Sequence, residues 1–99
     1  MIRVRDHVNQ CYSNADGDII QAILRGFFSR NEKVVVSFEG IDSASTSFIN
    51  SAFIELLQDY DFNFIKQNLI FVDSIRTINE LIKKRFTFEV NERKKLLNV

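Results

Sequence analysis

The sequence predicts an α/β domain in which amphipathic helices pack against a central sheet. Short apolar strands alternate with helical stripes along the chain, which is typical of sheets whose strands are joined by crossover helices. The 99 residues include no proline and only three glycines, whereas all-β sandwiches and barrels use many of both in their turns. This length fits one domain over residues 1–99, and the 45% of hydrophobic residues suffices for its core.

The first half of the chain predicts a strand, a helix and a second strand. Residues 2–8 begin with apolar and polar alternation, which indicates a half-buried strand. Residues 19–28 carry one broad apolar stripe at helical spacing, with Asp16 as the expected N-cap and Asn31 as the stop. The β-branched run within residues 33–38 favours a strand that is covered on both faces.

A second helix follows a segment rich in hydroxyl groups. The apolar positions within residues 48–57 repeat the spacing of the first helix. Ser45, Thr46 or Ser47 must form its N-cap, because these side chains accept hydrogen bonds from the free N–H groups of a first turn. Residues 59–68 are predicted to connect this helix to the next strand, either through a turn of helix or as an irregular lid.

The last third of the chain predicts a strand, a helix and a short edge strand. Residues 69–72 form a continuous apolar run, which indicates another buried strand. Asp73 or Ser74 is the expected cap of a third helix, which closes at the basic residues 83–85. Apolar residues alternate over residues 86–90 and favour an edge strand.

The charge balance argues against two classes of partner. Thirteen Lys and Arg residues match thirteen Asp and Glu residues, so the formal net charge is zero. Neutrality removes the simplest argument for binding nucleic acid or an anionic membrane. The basic clusters at residues 83–85 and 93–95 are ordinary at helix ends. The apolar runs are far shorter than the roughly 20 residues that cross a bilayer, so neither a membrane nor nucleic acid is an expected partner.

Few residues are available for catalysis or for holding a metal. Cys11 is the only cysteine, so no internal disulfide can form and a reducing, cytoplasmic location is expected. The chain has too few Cys and His residues for zinc and no closely spaced glycines for a phosphate-binding loop, so no metal or cofactor is expected. A nucleophile pair of Cys11 and His7, or a hydrolase built from His7, Asp42 and a serine, has little support from the spacing.

Residues 40–48, here called the hydroxyl loop, are the most distinctive segment of the chain. The loop follows a predicted strand, at the carboxyl edge of the sheet where α/β folds place their functional sites. Its hydroxyl groups are explained either as helix caps and turn formers or as groups that handle phosphate at a helix N-terminus. From the loop alone, capping is the favoured interpretation.

The surrounding residues point to a known family. Residues 34–48, with the sequence VVVSFEGIDSASTSF, resemble the central segment of STAS domains, the sulfate-transporter and anti-sigma-factor-antagonist family. In that family a buried strand and a short loop lead to an Asp-Ser-Ser-Gly motif that opens the next helix. The resemblance runs from Asp16 through the third helix and is closest to a STAS-like group of small bacterial proteins, in which a Ser-Phe pair opens this helix. It implies a STAS-like mixed sheet with helices packed against it.

The resemblance also implies candidate phosphorylation sites. Aligned without gaps, the family motif falls on Ser45, Thr46, Ser47 and Phe48. Thr46 then occupies the position of the serine that a partner kinase phosphorylates in anti-sigma antagonists, and Ser47 and Ser45 are the neighbouring candidates. Ser45 replaces the acidic residue of the motif and Phe48 replaces its glycine, whereas Asp42 lies three residues too early to be that acid.

The function implied by the resemblance is a non-enzymatic regulatory module, similar to anti-sigma factor antagonists, that docks a histidine-kinase-like ATPase or an anti-sigma-type regulator. Its expected docking residues are Gly40, Asp42, Ser43, Ser45, Thr46, Ser47 and Phe48. Docking surfaces need apolar anchors, for which Phe48, Phe62 and Phe64 are candidates, although burial is favoured for Phe48. The alternative is a small-ligand domain that binds a nucleotide or another anion at the same helix N-terminus.

Overall fold

A computed structural model describes residues 1–97 and places a three-stranded parallel sheet at the centre of the fold. The strands are β1 (Ile2–Arg3), β2 (Val34–Ser37) and β3 (Leu69–Val72), and they lie in the order β1–β2–β3. Val36 in the central strand pairs with Ile2 on one side and with Phe71 on the other. The predicted α/β class is confirmed.

Besides the sheet, residues 1–97 form four helices and two short 3-10 turns. The helices are α1 (Asn14–Ser29), α2 (Thr46–Ala52), α3 (Phe62–Asn68) and α4 (Arg76–Leu97), and the 3-10 turns are Val4–Asp6 and Ile54–Gln58. Helices α1 and α2 cross at Gly17, where a Cβ atom would lie 2.6 Å from Cβ of Ser51 and 2.7 Å from the carbonyl oxygen of Phe48. The absence of a side chain at Gly17 therefore permits this close approach.

Phe53 lies at the centre of the aromatic core. It is fully buried just after α2, and its ring centroid lies 5.0 Å from that of Phe71 and 6.2 Å from that of Phe38. The ring of Phe48 lies 6.3 Å away, edge to face. These contacts join α2 to the two longer strands, so one side chain connects the helical layer to the sheet.

Only one face of the sheet is fully covered. Val34 and Val36 are buried, whereas Val35 and Val72 are half-buried and Ile70 is 44% exposed. The expectation of cover on both faces is therefore wrong. Successive right-handed crossovers that proceed in one direction along a sheet place their helices on the same side. The β-branched run that suggested two covered faces is compatible with an open one, because much of any protein surface is apolar.

The first strand is shorter than predicted, and the first helix begins earlier. The chain leaves the sheet after Arg3, because the carbonyl oxygen of Val4 accepts hydrogen bonds from the N–H groups of His7 and Val8. Helix α1 has Ser13 as its N-cap instead of Asp16, whose N–H donates to the Ser13 hydroxyl at 3.1 Å. Both residue types are good caps, and a helix that starts at Asn14 places Asp16 in its first turn.

Asn31 does follow the end of α1, as expected. Its φ of 55° places it in the left-handed region, which asparagine tolerates better than most residues. Helix α4 begins at Arg76, so neither Asp73 nor Ser74 directly precedes its first residue. Asp73 instead has a φ of 55° at the end of β3 and accepts a hydrogen bond from the buried Ser37 hydroxyl at 2.8 Å.

The predicted edge strand over residues 86–90 is wrong, because α4 continues through it to Leu97. The helical stripe of α4 is formed by its buried and half-buried apolar residues at intervals of four: Ile78, Ile82, Phe86 and Val90. Phe88 lies off that stripe and is 52% exposed. The interval of two between Phe86 and Phe88 therefore reflects one core residue and one surface residue, and the basic residues 83–85 lie within the helix.

Candidate functional site

The hydroxyl loop joins the carboxyl end of β2 to the start of α2. It turns at Gly40, whose φ of 78° lies in the left-handed region, and the N–H of Ile41 donates to the carbonyl oxygen of Phe38 at 2.9 Å. A Cβ atom at position 40 would overlap the side chain of Arg5. Backbone conformation and space thus both favour glycine here.

Ser45 is the N-cap of α2, which selects one of the three predicted caps. Its Oγ accepts a hydrogen bond from the N–H of Phe48 at 3.1 Å and donates one to the carbonyl oxygen of Tyr12 at 2.7 Å. The N–H of Ser45 also donates to the carbonyl oxygen of Cys11 at 2.8 Å. One residue therefore both caps the helix and ties the loop to the segment before α1.

Thr46 and Ser47 form the exposed first turn of α2, and the next residue points inward. Both hydroxyl-bearing residues are exposed, whereas Phe48 is fully buried. Burial of Phe48 agrees with the interpretation favoured for it and removes it as a docking anchor. The two other phenylalanines considered as anchors, Phe62 and Phe64, are half-buried against the core.

Residues 9–12 complete the site, and no sequence motif marks them. Tyr12 is 51% exposed, and its hydroxyl forms a hydrogen bond with the hydroxyl of Ser43. A cleft of about 220 Å³ lies between residues 9–12 and 40–43. Asp42 is among its lining residues, and no basic residue is. The only signal was the apolar Val8 and Cys11 within an otherwise polar stretch, since both are buried.

Cys11 lies beneath the loop as a protonated thiol. It is 1% exposed, and burial, with a smaller contribution from the negative charge of Asp16, raises the pKa of its thiol from 9.0 to about 11. A nucleophilic cysteine needs the opposite shift, because the thiolate is the reactive form. His7 is exposed. The environment of Cys11 therefore does not favour a Cys–His nucleophile pair.

Within residues 1–97, no group of His, Cys, Asp and Glu side chains is arranged to hold a metal ion. Among the helices of the described part of the chain, none combines the length and apolar character required to span a membrane.

Ser45→Ala is expected to destabilise the protein by about 1–2 kcal/mol, because it removes a helix cap and the bond to the Tyr12 carbonyl group. Ser47→Ala is the matched control and should change stability by less than about 0.5 kcal/mol, since Ser47 is exposed and does not cap the helix. Urea unfolding followed by circular dichroism measures both. Equal effects of the two substitutions would show that the cap of Ser45 contributes nothing particular to stability.

Comparison with known families gives a match over most of the chain. Residues 2–79 match the family described as a STAS-like domain of unknown function (DUF4325). No curated protein and no solved structure shows significant similarity to the chain. The matched region runs from β1 into the first turn of α4 and contains the whole hydroxyl loop, which confirms the resemblance carried by residues 34–48. The chain therefore belongs to this family of STAS-like domains.

Proposed function

We propose that this STAS-like domain is a regulatory module that docks a partner protein through the hydroxyl loop and the exposed side of α2. The observation that carries the proposal is the exposed pair Thr46 and Ser47, presented on a helix start that Ser45 fixes to the segment before α1. A surface built from two chain segments in this way has a defined shape before a partner arrives, which lowers the entropic cost of binding.

Phosphorylation of this surface would alter its charge strongly. Helix α2 has the sequence TSFINSA and carries no charged side chain. A phosphate on its first turn adds about −1.5 to −2 charges and faces the positive end of the helix dipole, which accommodates it. The helix would therefore stay folded while the docking surface became anionic, and this combination suits a reversible switch.

Thr46 and Ser47 are better phosphate acceptors in this proposal than Ser45. The Oγ atom of Ser45 is occupied by two hydrogen bonds, and a phosphate there would break the cap and the link to Tyr12. Thr46 is exposed and also occupies the position at which anti-sigma antagonists, which the hydroxyl loop resembles, carry their phosphorylated serine.

The partner proposed is a histidine-kinase-like ATPase or an anti-sigma-type regulator, on the basis of the same resemblance. Tyr12 is the aromatic anchor offered by this surface, since it is half exposed and its hydroxyl is oriented by Ser43. Tyrosines of this kind contribute strongly to protein interfaces.

The test uses each histidine-kinase-like ATPase of the source organism as a purified binding partner and kinase. We expect one of them to bind the domain, and Tyr12→Ala to weaken that binding at least tenfold, corresponding to the loss of about 1.4 kcal/mol. With ATP, mass spectrometry should locate phosphate on Thr46 or Ser47, and Thr46→Ala together with Ser47→Ala should abolish it.

Thr77→Ala provides the control, because Thr77 is an exposed threonine in the first turn of α4. It should leave both binding and phosphorylation unchanged. Phosphate found only outside the hydroxyl loop would refute the switch. Binding that is indifferent to Tyr12→Ala and to both hydroxyl substitutions would refute the docking surface.

Binding of a nucleotide at the same place has weaker physical support. Asp42 lines the cleft beside the loop and no basic residue does, so no lining side chain offers a positive charge to an anion. A melting temperature that rises saturably with ATP or inorganic phosphate would nevertheless favour this second function, because a ligand that binds only the folded state stabilises it.

A further inference from the structure

A second cleft lies between α3 and α4, beside β3 and outside the hydroxyl loop. Its volume is about 450 Å³, which lies within the range of small-molecule sites. Five apolar side chains form its floor and walls: Phe62, Ile65, Leu69, Phe71 and Phe86. The ring centroids of Phe62 and Phe86 lie 5.5 Å apart, so these two side chains join α3 to α4 within the cleft.

The polar groups around this cleft are mainly cationic. Lys66 and Lys83 line it together with the hydroxyl of Thr87, and no acidic side chain does. The ammonium group of Lys66 lies 5.7 Å from the centroid of the Phe62 ring, which places its charge beside the apolar walls. Within residues 1–97, neither lysine forms an ion pair. Two positive charges next to an apolar cavity match a ligand with an apolar tail and an anionic head.

We propose that the cleft between α3 and α4 binds a small amphiphilic carboxylate, with its aliphatic chain against the phenylalanine walls and its carboxylate between Lys66 and Lys83. A volume of about 450 Å³ holds on the order of fifteen heavy atoms at roughly 30 Å³ each. The cleft is open on one side, so a chain of about six to ten carbons fits it. This site shares no residue with the hydroxyl loop and does not depend on the function proposed above.

Binding of octanoate to the full chain, measured by titration with two-dimensional NMR below the micelle concentration, tests the proposal. We expect a dissociation constant on the order of 1 mM or lower, with the largest shifts at residues of the cleft. Octylammonium has the same chain and the opposite charge, and it should bind at least ten times more weakly. Hexanoate should bind more weakly than octanoate, because it buries fewer methylene groups.

Three variants separate charge from apolar burial. Lys66→Met combined with Lys83→Met keeps the aliphatic stems and removes both charges, and it should weaken octanoate binding at least fivefold. Lys84→Met is the matched control on the same helix, since Lys84 is exposed and does not line this cleft, and it should change binding by less than twofold. Thr87→Trp fills the cleft from an exposed position and should abolish the shifts while the protein stays folded.

Several outcomes would overturn the proposal. Equal affinities for octanoate and octylammonium would show that the two lysines do not select an anionic head group. An unchanged affinity in the Lys66→Met, Lys83→Met double variant would do the same. Shifts that persist in a folded Thr87→Trp variant would place the ligand elsewhere, and the absence of any saturable shift would show that the cleft binds no such carboxylate.

Discussion

Phe53→Ala is expected to destabilise the domain by about 3–5 kcal/mol, the largest effect among the single substitutions considered. The side chain is fully buried and contacts the rings of Phe38, Phe48 and Phe71, so its removal leaves a cavity between α2 and the sheet. Native domains are stable by only about 5–15 kcal/mol, so much of the stability would be lost. For a chain of this size, the midpoint of thermal unfolding should fall by about 15–30 °C.

Phe88→Ala is the matched control for this substitution. Phe88 is 52% exposed on α4, and its main partner is the guanidinium group of Arg85, whose Cζ lies 5.2 Å from the ring centroid. Its removal should cost less than about 1 kcal/mol. Urea and thermal unfolding of both variants measure the difference. If the two cost the same, Phe53 is not the packing centre that the ring contacts indicate.

Gly17→Ala is expected to destabilise the domain by about 2 kcal/mol or more, even though alanine is the better helix former by about 1 kcal/mol. A Cβ atom there would lie 2.7 Å from the carbonyl oxygen of Phe48 and 3.0 Å from the backbone nitrogen of Ala52. Backbone atoms cannot move aside as a flexible side chain can, so α1 and α2 would have to separate. The same separation would displace the start of α2, where Thr46 and Ser47 lie.

Gly26→Ala, on the same helix, is expected to have the opposite sign. The nearest atom that a Cβ at Gly26 would meet is a guanidinium nitrogen of Arg30 at 3.8 Å, which is an ordinary contact. With no clash to oppose it, the helix propensity of alanine should stabilise the domain by about 0.5–1 kcal/mol. Chemical unfolding of the pair reports the contrast. If the Gly17→Ala variant has the same free energy of unfolding as the Gly26→Ala variant, the crossing of α1 and α2 tolerates a side chain at position 17.

The parts of the fold that the sequence predicted are those set by strong local patterns. The apolar runs that contain Val36 and Phe71 correctly predicted the two longer strands, and one apolar stripe at helical spacing predicted α1. The wrong prediction of an edge strand at residues 86–90 has a local cause. Phe86 and Phe88 are two positions apart, as in a strand, but Phe86 also lies four positions after Ile82, as in a helix. The length of the helical pattern distinguishes the two structures, because apolar residues recur every four positions from Ile78 to Val90, which is too long for a short edge strand.

The sequence pattern singles out the hydroxyl loop as the candidate site, but it does not predict the contacts that build the loop. Local chemistry placed the cap of α2 within a group of three hydroxyl residues, and the structure selects Ser45. The contacts of Ser45 with Cys11 and Tyr12 bridge more than thirty residues and follow from the docking of α1 on α2. No local pattern encodes such a contact. The cleft between α3 and α4 has no local sequence signal for the same reason, because its walls come from three separate elements.

The hydrogen bond between Ser45 and Tyr12 makes the proposed docking surface a discontinuous epitope. The two residues are 33 positions apart, and Tyr12 and Ser43 are 31 apart. A synthetic peptide of residues 40–48 would lack Tyr12, and isolated helices shorter than about 12 residues are marginal in water. Such a peptide would neither hold the cap nor present its hydroxyls in one direction, so it would compete poorly for a partner that recognises the whole domain. The proposed surface therefore depends on the folded domain.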